Sequence, residues 1–138
     1  MADKTDNIKT KLAFDGEAEY KAACKELNSN LKLLGSEMKL VTAEYKNNAT
    51  STEALKAKQD VLKRTYDEQA KKVEETEKAL KAMKEAQGEN SDGAKRLETA
   101  LNQQKTALAN TKNALDDTDK ALNEAEKGAD EFGKGIKE

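Results

Sequence analysis

Side chains able to carry out catalysis or to bind metal are scarce in this sequence. Its 138 residues include no histidine and one cysteine, Cys24. Histidine is the usual acid–base group near neutral pH and the commonest metal ligand. The sequence therefore lacks the residue that most often builds an acid–base site or a metal site. Thiol catalysis would need a histidine base beside Cys24, and the sequence has none. A single cysteine forms no internal disulfide, which fits a reducing cytoplasm. We expect no catalytic residue, no metal ligand and no cofactor.

Three other patterns resemble functional motifs but lack the surroundings that those motifs need. Gly88 and Gly93 follow no predicted strand, so they do not indicate a phosphate-binding loop. The triplet at 48–50 matches a glycosylation acceptor, but residues 1–6 lack the apolar stretch of a secretory signal. The 27 acidic and 25 basic residues are mixed along the chain, which is typical of solvated helix faces. The sequence therefore predicts no enzymatic activity.

The composition favours long helices over a thick globular core. Charged residues make up 38% of the chain and aromatic residues 4%, with no proline or tryptophan. The charges form no basic stripe of the kind that binds nucleic acid, and no apolar run approaches the roughly 18 residues that span a bilayer. A chain this polar is either disordered or packed through a narrow apolar seam between helices. Apolar residues that keep their phase over several heptads favour the seam.

A seven-residue repeat of leucine is the strongest structural signal in the chain. Leu101, Leu108, Leu115 and Leu122 are each preceded by alanine. Two turns of an α-helix take about seven residues, so this repeat keeps one helix face turned toward a partner. It predicts a helix over 92–132.

Apolar residues that alternate at intervals of four and three predict two earlier helices, over 16–46 and 51–87. Short breaks favour antiparallel neighbours, so we predict an all-α fold of three long coiled-coil helices running up-down-up. Helix continuing through both breaks would instead give a rod of about 180 Å, and the heptads fit either form. We expect the coiled-coil region, 16–138, to continue into a longer protein. The helix-packing seam comprises Tyr20, Leu27, Leu31, Leu34, Met38, Leu62, Tyr66, Leu80, Leu101, Leu108, Leu115 and Leu122.

Polar residues at the predicted helix ends support these boundaries. Asp15 is the expected cap of the first helix, and the segment 50–53 fits a capping box before the second. Gly88 suits a left-handed position after the second helix, and Ser91 suits the cap of the third.

The first predicted helix carries a second apolar row on the face nearly opposite its seam. A helix with two apolar faces needs two neighbours, and small residues in the second row would let one of them come close. We interpret Leu33 and Leu40 as part of an oligomer face. The row consists of Ala22, Ser29, Leu33, Ser36, Leu40 and Ala43.

Residues 1–15 are predicted to form a polar tail followed by a short extended segment. Ile8, Leu12 and Phe14 lie on one side of a two-residue alternation, which is typical of a strand. This chain offers no partner strand, so the segment either lies on a helix or pairs with a copy in another subunit. The second alternative adds these three residues to the oligomer face.

Polar residues interrupt the predicted seam at several positions. A polar group in such a seam lowers stability and can fix the register of the helices. We therefore hypothesise packing that is specific but only marginally stable. The interrupting residues are Gln59, Gln69, Thr76, Gln87, Gln104, Thr111 and Thr118.

Two segments and one loop together carry a recognisable pattern. In residues 8–20, IKTKLAFDGEAEY, an extended segment leads through Phe-Asp-Gly into a helix. Residues 34–42 are LGSEMKLVT, and GENS at 88–91 lies between two predicted helices. In these features the chain resembles the N-terminal region of tail tape measure proteins from long-tailed phages and prophages of Gram-positive bacteria. From residue 50 onward the similarity is mainly one of coiled-coil composition.

The resemblance implies a structural role. A tape measure protein lies in the lumen of the tail tube, which polymerises around it with the help of chaperones, and its length sets the length of the tail. The implied partners are the tail tube protein and the tail assembly chaperones. The apolar rows of the first helix add self-association as a trimer or hexamer, and no nucleic-acid or membrane partner is expected for this segment. The implied location is the virion tail, assembled in the host cytoplasm. Because antiparallel helices would measure length poorly, residues 1–138 are expected to be a terminal or assembly element.

A cytoplasmic coiled-coil adaptor without enzymatic activity is the alternative. Such an adaptor would dock another protein's helix against Leu33 and Leu40, and it should stay monomeric until that partner is present. A tail protein, in contrast, is expected to self-associate through the first helix.

Overall fold

Three long α-helices account for most of the chain that the structure describes. The computed structural model describes the backbone of residues 13–137 and the side chains of residues 13–128. Helix α1 spans Glu17–Glu44, α2 spans Thr52–Gln87 and α3 spans Asp92–Lys137, and no strand occurs within these described residues. The predicted all-α, three-helix fold is confirmed. Ile8 and Leu12 of the predicted extended segment lie outside the described residues.

The helices run antiparallel, as the up-down-up prediction requires. The hydroxyl of Tyr20, near the start of α1, meets Thr76 in the last third of α2, whereas Glu37 meets Arg64 farther back along α2. On the other side, Gln59 near the start of α2 hydrogen-bonds Asp119 far along α3. The breaks between the helices are therefore true reversals, and the extended rod of about 180 Å is not the form of this chain.

Helix α2 lies between its two neighbours and packs against both. In the described part of the chain, no residue of α1 has its Cα within 8 Å of a Cα of α3. The central helix must therefore be apolar on two faces, and Ala54, Val61 and Ala79 are buried there in addition to the predicted seam. Because α3 packs on α2, the second row of α1, which we assigned to an oligomer face, is left uncovered within the described chain.

Each helix begins at a local signal, although not always at the predicted one. Ser91 caps α3 as predicted, since its Oγ accepts a hydrogen bond from the backbone N of Ala94 at 3.1 Å. Helix α2 is capped by Ser51, whose Oγ accepts from Ala54 N, and not by the threonine before it. Helix α1 starts after Gly16, with no side-chain cap from Asp15.

Gly16 turns the chain sharply at the start of α1. Its φ of 90° lies in the region that favours glycine, because any Cβ there meets the backbone. The turn directs Phe14 onto α2 and α3, where it is 5% exposed in a cluster with Ala79, Met83 and Ala94. Our assignment of Phe14 to an oligomer face is therefore corrected: its ring belongs to the core of its own chain.

Gly88 ends α2 with the second positive φ, 99°. Its ψ of 154° is extended, so the residue does not take the left-handed helical conformation that we expected. Its N–H still donates to the carbonyl of Lys84 at 2.9 Å, which closes the last turn of α2 before the chain reverses into α3.

Candidate interaction surface

The leucine repeat of α3 faces α2 along the described part of the bundle. Leu101 and Leu122 are buried, and Leu108 and Leu115 between them are half-buried. Thr118, one of the polar interruptions, is also buried, and its hydroxyl donates to the carbonyl of Ala114 one turn earlier at 2.8 Å. A threonine can thus satisfy its own hydroxyl within the seam.

The predicted seam positions of α1 and α2 are likewise covered. In α1, Leu27 and Leu34 are buried, and Leu62 is buried in α2. None of the remaining seam positions is exposed; they are Tyr20, Leu31, Met38, Tyr66 and Leu80. Cys24 is half-buried on the same side of α1, as a small apolar residue would be.

Polar seam residues cluster where Tyr20 enters between the helices. Its hydroxyl lies 3.1 Å from Oγ1 of Thr76, and Thr76 has no exposed surface. Burial raises the pKa of Tyr20 above its ordinary value, because the charged phenolate would lose its hydration there. Smaller effects on this pKa come from Cys24, which raises it, and Gln104, which lowers it.

A cleft of about 300 Å³ opens between α1 and α3 over the central helix. Its lining is Leu31, Gln69, Lys72, Ala100, Gln103, Gln104 and Ala107. The Oε1 atoms of Gln69 and Gln104 are buried and have no hydrogen-bond partner among the described residues. One lysine and three amides provide no pair of acid and base, so this lining does not support acid–base catalysis.

Charged pairs hold the outer edge of the contact between α1 and α2. Both Nη atoms of Arg64 contact the carboxylate of Glu37 at 3.1 Å, and Nη2 lies 2.8 Å from Oδ2 of Asp60. Hydrogen bonds to Glu37 and then to Asp60 raise the pKa of Arg64. Asn30 also donates to Glu68 at 3.2 Å on this edge. These exposed contacts fix the alignment of the helices more than they stabilise them.

The most unusual surface is the outer face of α1. Leu33 is 62% exposed and Leu40 is 58% exposed, and they are the exposed large hydrophobic residues of the described chain. Ala22, Ser29 and Ser36 of the same row are also exposed. The structure thus leaves uncovered the row for which the sequence predicted a neighbour. We call this row, from Ala22 to Ala43, the outer α1 face.

The second apolar side of α2 was missed in the sequence. Ala54, Val61 and Ala79 follow a helical spacing, but Glu68 and Glu75 interrupt it. Glu68 is half-buried, and its carboxylate accepts a hydrogen bond from Asn30. In the sequence its charge alone suggests an exposed position. The signal in the sequence was the helical spacing of small and apolar residues on this side of α2, which continues past the two glutamates.

No helix in the described chain is long and apolar enough to cross a membrane. Within the same residues, no three His, Cys, Asp or Glu side chains gather closely enough to hold a metal ion. In comparisons with protein-family models, curated proteins and solved structures, no match to this chain was found.

Proposed function

We propose that this chain is a structural element of a phage tail: the N-terminal part of a tape measure protein, acting in assembly and without enzymatic activity. The observation that supports an assembly role is the antiparallel fold of α1, α2 and α3. An extended helix gains about 1.5 Å per residue, whereas three helices folded back on one another gain little length from most of their residues. Such a region is suited to anchoring or starting assembly and not to measuring.

Tail length tests this proposal directly. Removing residues 16–127 in frame from the parent protein should leave tail length nearly unchanged, because these residues form a folded bundle. An extended segment of the same size would contribute about 170 Å at about 1.5 Å per residue. The matched control removes an equal number of residues from a downstream helical segment of the parent, which should shorten the tail by that full amount. Equal shortening by both deletions would overturn the proposal.

An adaptor is the second candidate, and the outer α1 face is the observation that favours it. Leu33 and Leu40 are exposed on one helix and could receive an amphipathic helix of another protein. An adaptor of this kind should be monomeric when purified alone. A chain that stays monomeric when purified alone, at every concentration, would favour this candidate over a self-associating tail element.

A further inference from the structure

We propose that the outer α1 face binds the same face of a second copy of this chain, with the two helices parallel. The proposal is argued from the exposed row and its flanking charges, and it deepens the proposed function, because self-association through α1 is also what a tail role predicts. The tail-length deletion tests that function separately. Leu33 and Leu40 stand seven residues apart and are the exposed large apolar residues of the described chain. Residues with this spacing on one face are the core positions of a coiled coil.

The last two heptads of the outer α1 face have the order of such an interface. With Leu33 and Leu40 at position a, position d holds small residues, and all of these side chains are exposed. Small d residues let two helix backbones approach closely. The a positions are Glu26, Leu33 and Leu40, and the d positions are Ala22, Ser29, Ser36 and Ala43. Because a faces a in a parallel pair, Glu26 would meet Glu26 of the second copy, so the apolar contact is confined to the heptads of Leu33 and Leu40.

The charges beside this row select the orientation. Position g, on one side, is lysine in three successive heptads of α1: Lys25, Lys32 and Lys39. On the other side, position e holds Glu37 and Glu44 in the last two heptads. In a parallel pair each g residue faces the e residue five positions later in the other helix. Lys32 would then meet Glu37 of the second copy, and Lys39 would meet its Glu44.

An antiparallel pair would bring like charges together. In that orientation g faces g and e faces e, so lysine meets lysine and glutamate meets glutamate. Like charges across an interface disfavour the wrong pairing, and this row disfavours the antiparallel pair on both of its sides. The charge pattern therefore fits a second copy of this helix in one orientation.

Three of the four charged groups in these contacts form no ion pair within the described chain, and the fourth, Glu37, has acceptor sites left. In the described part of the chain, neither Lys32 nor Lys39 nor Glu44 forms a salt bridge. Glu37 already accepts two hydrogen bonds from Arg64. A carboxylate has about four acceptor sites, so it can accept a lysine as well. The seam with α2 lies on nearly the opposite side of α1, while Leu33 and Glu37 also border a groove beside Arg64 of α2.

Sedimentation of the full chain across concentration and salt tests association. The wild type should form a dimer that weakens as salt rises, since its flanking ion pairs are exposed. Lys32→Glu with Lys39→Glu should weaken the dimer at least about tenfold, because two attractive contacts become repulsive on each side. The matched control, Lys105→Glu with Lys112→Glu, makes the same charge change at exposed positions of α3 and should leave association unchanged. A wild type that stays monomeric at every concentration, or equal weakening by both pairs, overturns the proposal.

Cross-linking tests the orientation. In a Cys24→Ala background, Ser29→Cys and Ser36→Cys are made separately and each is oxidised with glutathione disulfide. In a parallel pair both cysteines face their own copies and each variant forms a disulfide-linked dimer. In an antiparallel pair at most one can do so, because a disulfide needs Cβ atoms about 4 Å apart. Asn28→Cys, exposed but outside the row, is the control and should stay monomeric. Cross-linking of only one serine position, or of neither, overturns the parallel pair.

Discussion

The phenolic oxygen of Tyr20 and the hydroxyl oxygen of Thr76 lie 3.1 Å apart across the contact between α1 and α2. Thr76 has no exposed surface, so its hydroxyl depends on protein partners for hydrogen bonds. The pair joins residues 56 positions apart in sequence. It is a specific polar contact inside a seam that is otherwise mainly apolar, and it fixes how far α1 can slide along α2.

We expect a measurable coupling between these two hydroxyls. Tyr20→Phe and Thr76→Val each remove one hydroxyl with little change of shape, and either alone leaves the other group buried without its partner. Each should cost about 1 kcal/mol in the free energy of unfolding, and the double variant should cost clearly less than the sum. Urea unfolding of the wild type, the two single variants and the double variant measures this coupling energy. Strict additivity would show that the two groups do not interact.

Stability should also fall at high pH through Tyr20. Burial raises its pKa in the folded protein, whereas in the unfolded chain a tyrosine titrates near about 10. The folded state therefore holds this proton more tightly, so the stabilisation is fully present below about pH 10 and is lost as the pH rises through the folded pKa. Thermal unfolding between pH 8 and 11 should show a steeper decline for the wild type than for Tyr20→Phe. An equal fall of stability with pH in both proteins would show that Tyr20 is not the cause.

The inner faces of the helices were predictable because helical periodicity is a local property. Leu101 and Leu122 recur in phase, so any partner on that side buries both, whichever helix it comes from. The centre of the bundle was not predictable in the same way. Whether α1 or α2 has two covered faces depends on where α3 packs, and that choice is made by contacts between distant residues.

The interaction surface was predicted in part for the same reason. Leu33 and Leu40 were identified from spacing, and the structure places them on an exposed face. Phe14 was assigned to a strand from a local alternation of apolar residues. Its burial follows from the turn at Gly16, whose positive φ leads the chain back over the end of the bundle, and an alternation pattern contains no information about that turn.

Two glycines in helices should respond differently to alanine. A Cβ at Gly35, on the surface of α1, would have no atom within 4 Å, so Gly35→Ala should stabilise the protein by about 1 kcal/mol through helix propensity. A Cβ at Gly93 would lie 2.6 Å from the terminal methyl carbon of Met83, which must then move within a buried site. Gly93→Ala should therefore gain clearly less than Gly35→Ala or lose stability.

Shortening Met83 separates the two contributions at Gly93. Met83→Ala should cost about 2–4 kcal/mol, because it leaves a cavity beside Phe14 and Ala94. In that background the clash is gone, so Gly93→Ala should recover a gain similar to that at Gly35. Chemical denaturation of the single and double variants measures the difference. An unchanged effect of Gly93→Ala in both backgrounds would contradict the close contact.

Replacing Gln69 should stabilise the bundle. Its Oε1 is buried in the cleft between α1 and α3 with no hydrogen-bond partner among the described residues, so this oxygen is desolvated without compensation. Gln69→Met keeps the volume and removes the polar atoms, and it should raise the free energy of unfolding by about 1 kcal/mol. Gln103→Met changes an exposed residue of the same cleft and should have little effect. A wild-type melting temperature above about 90 °C, or a loss of stability in Gln69→Met, would contradict the view that polar seam residues limit stability.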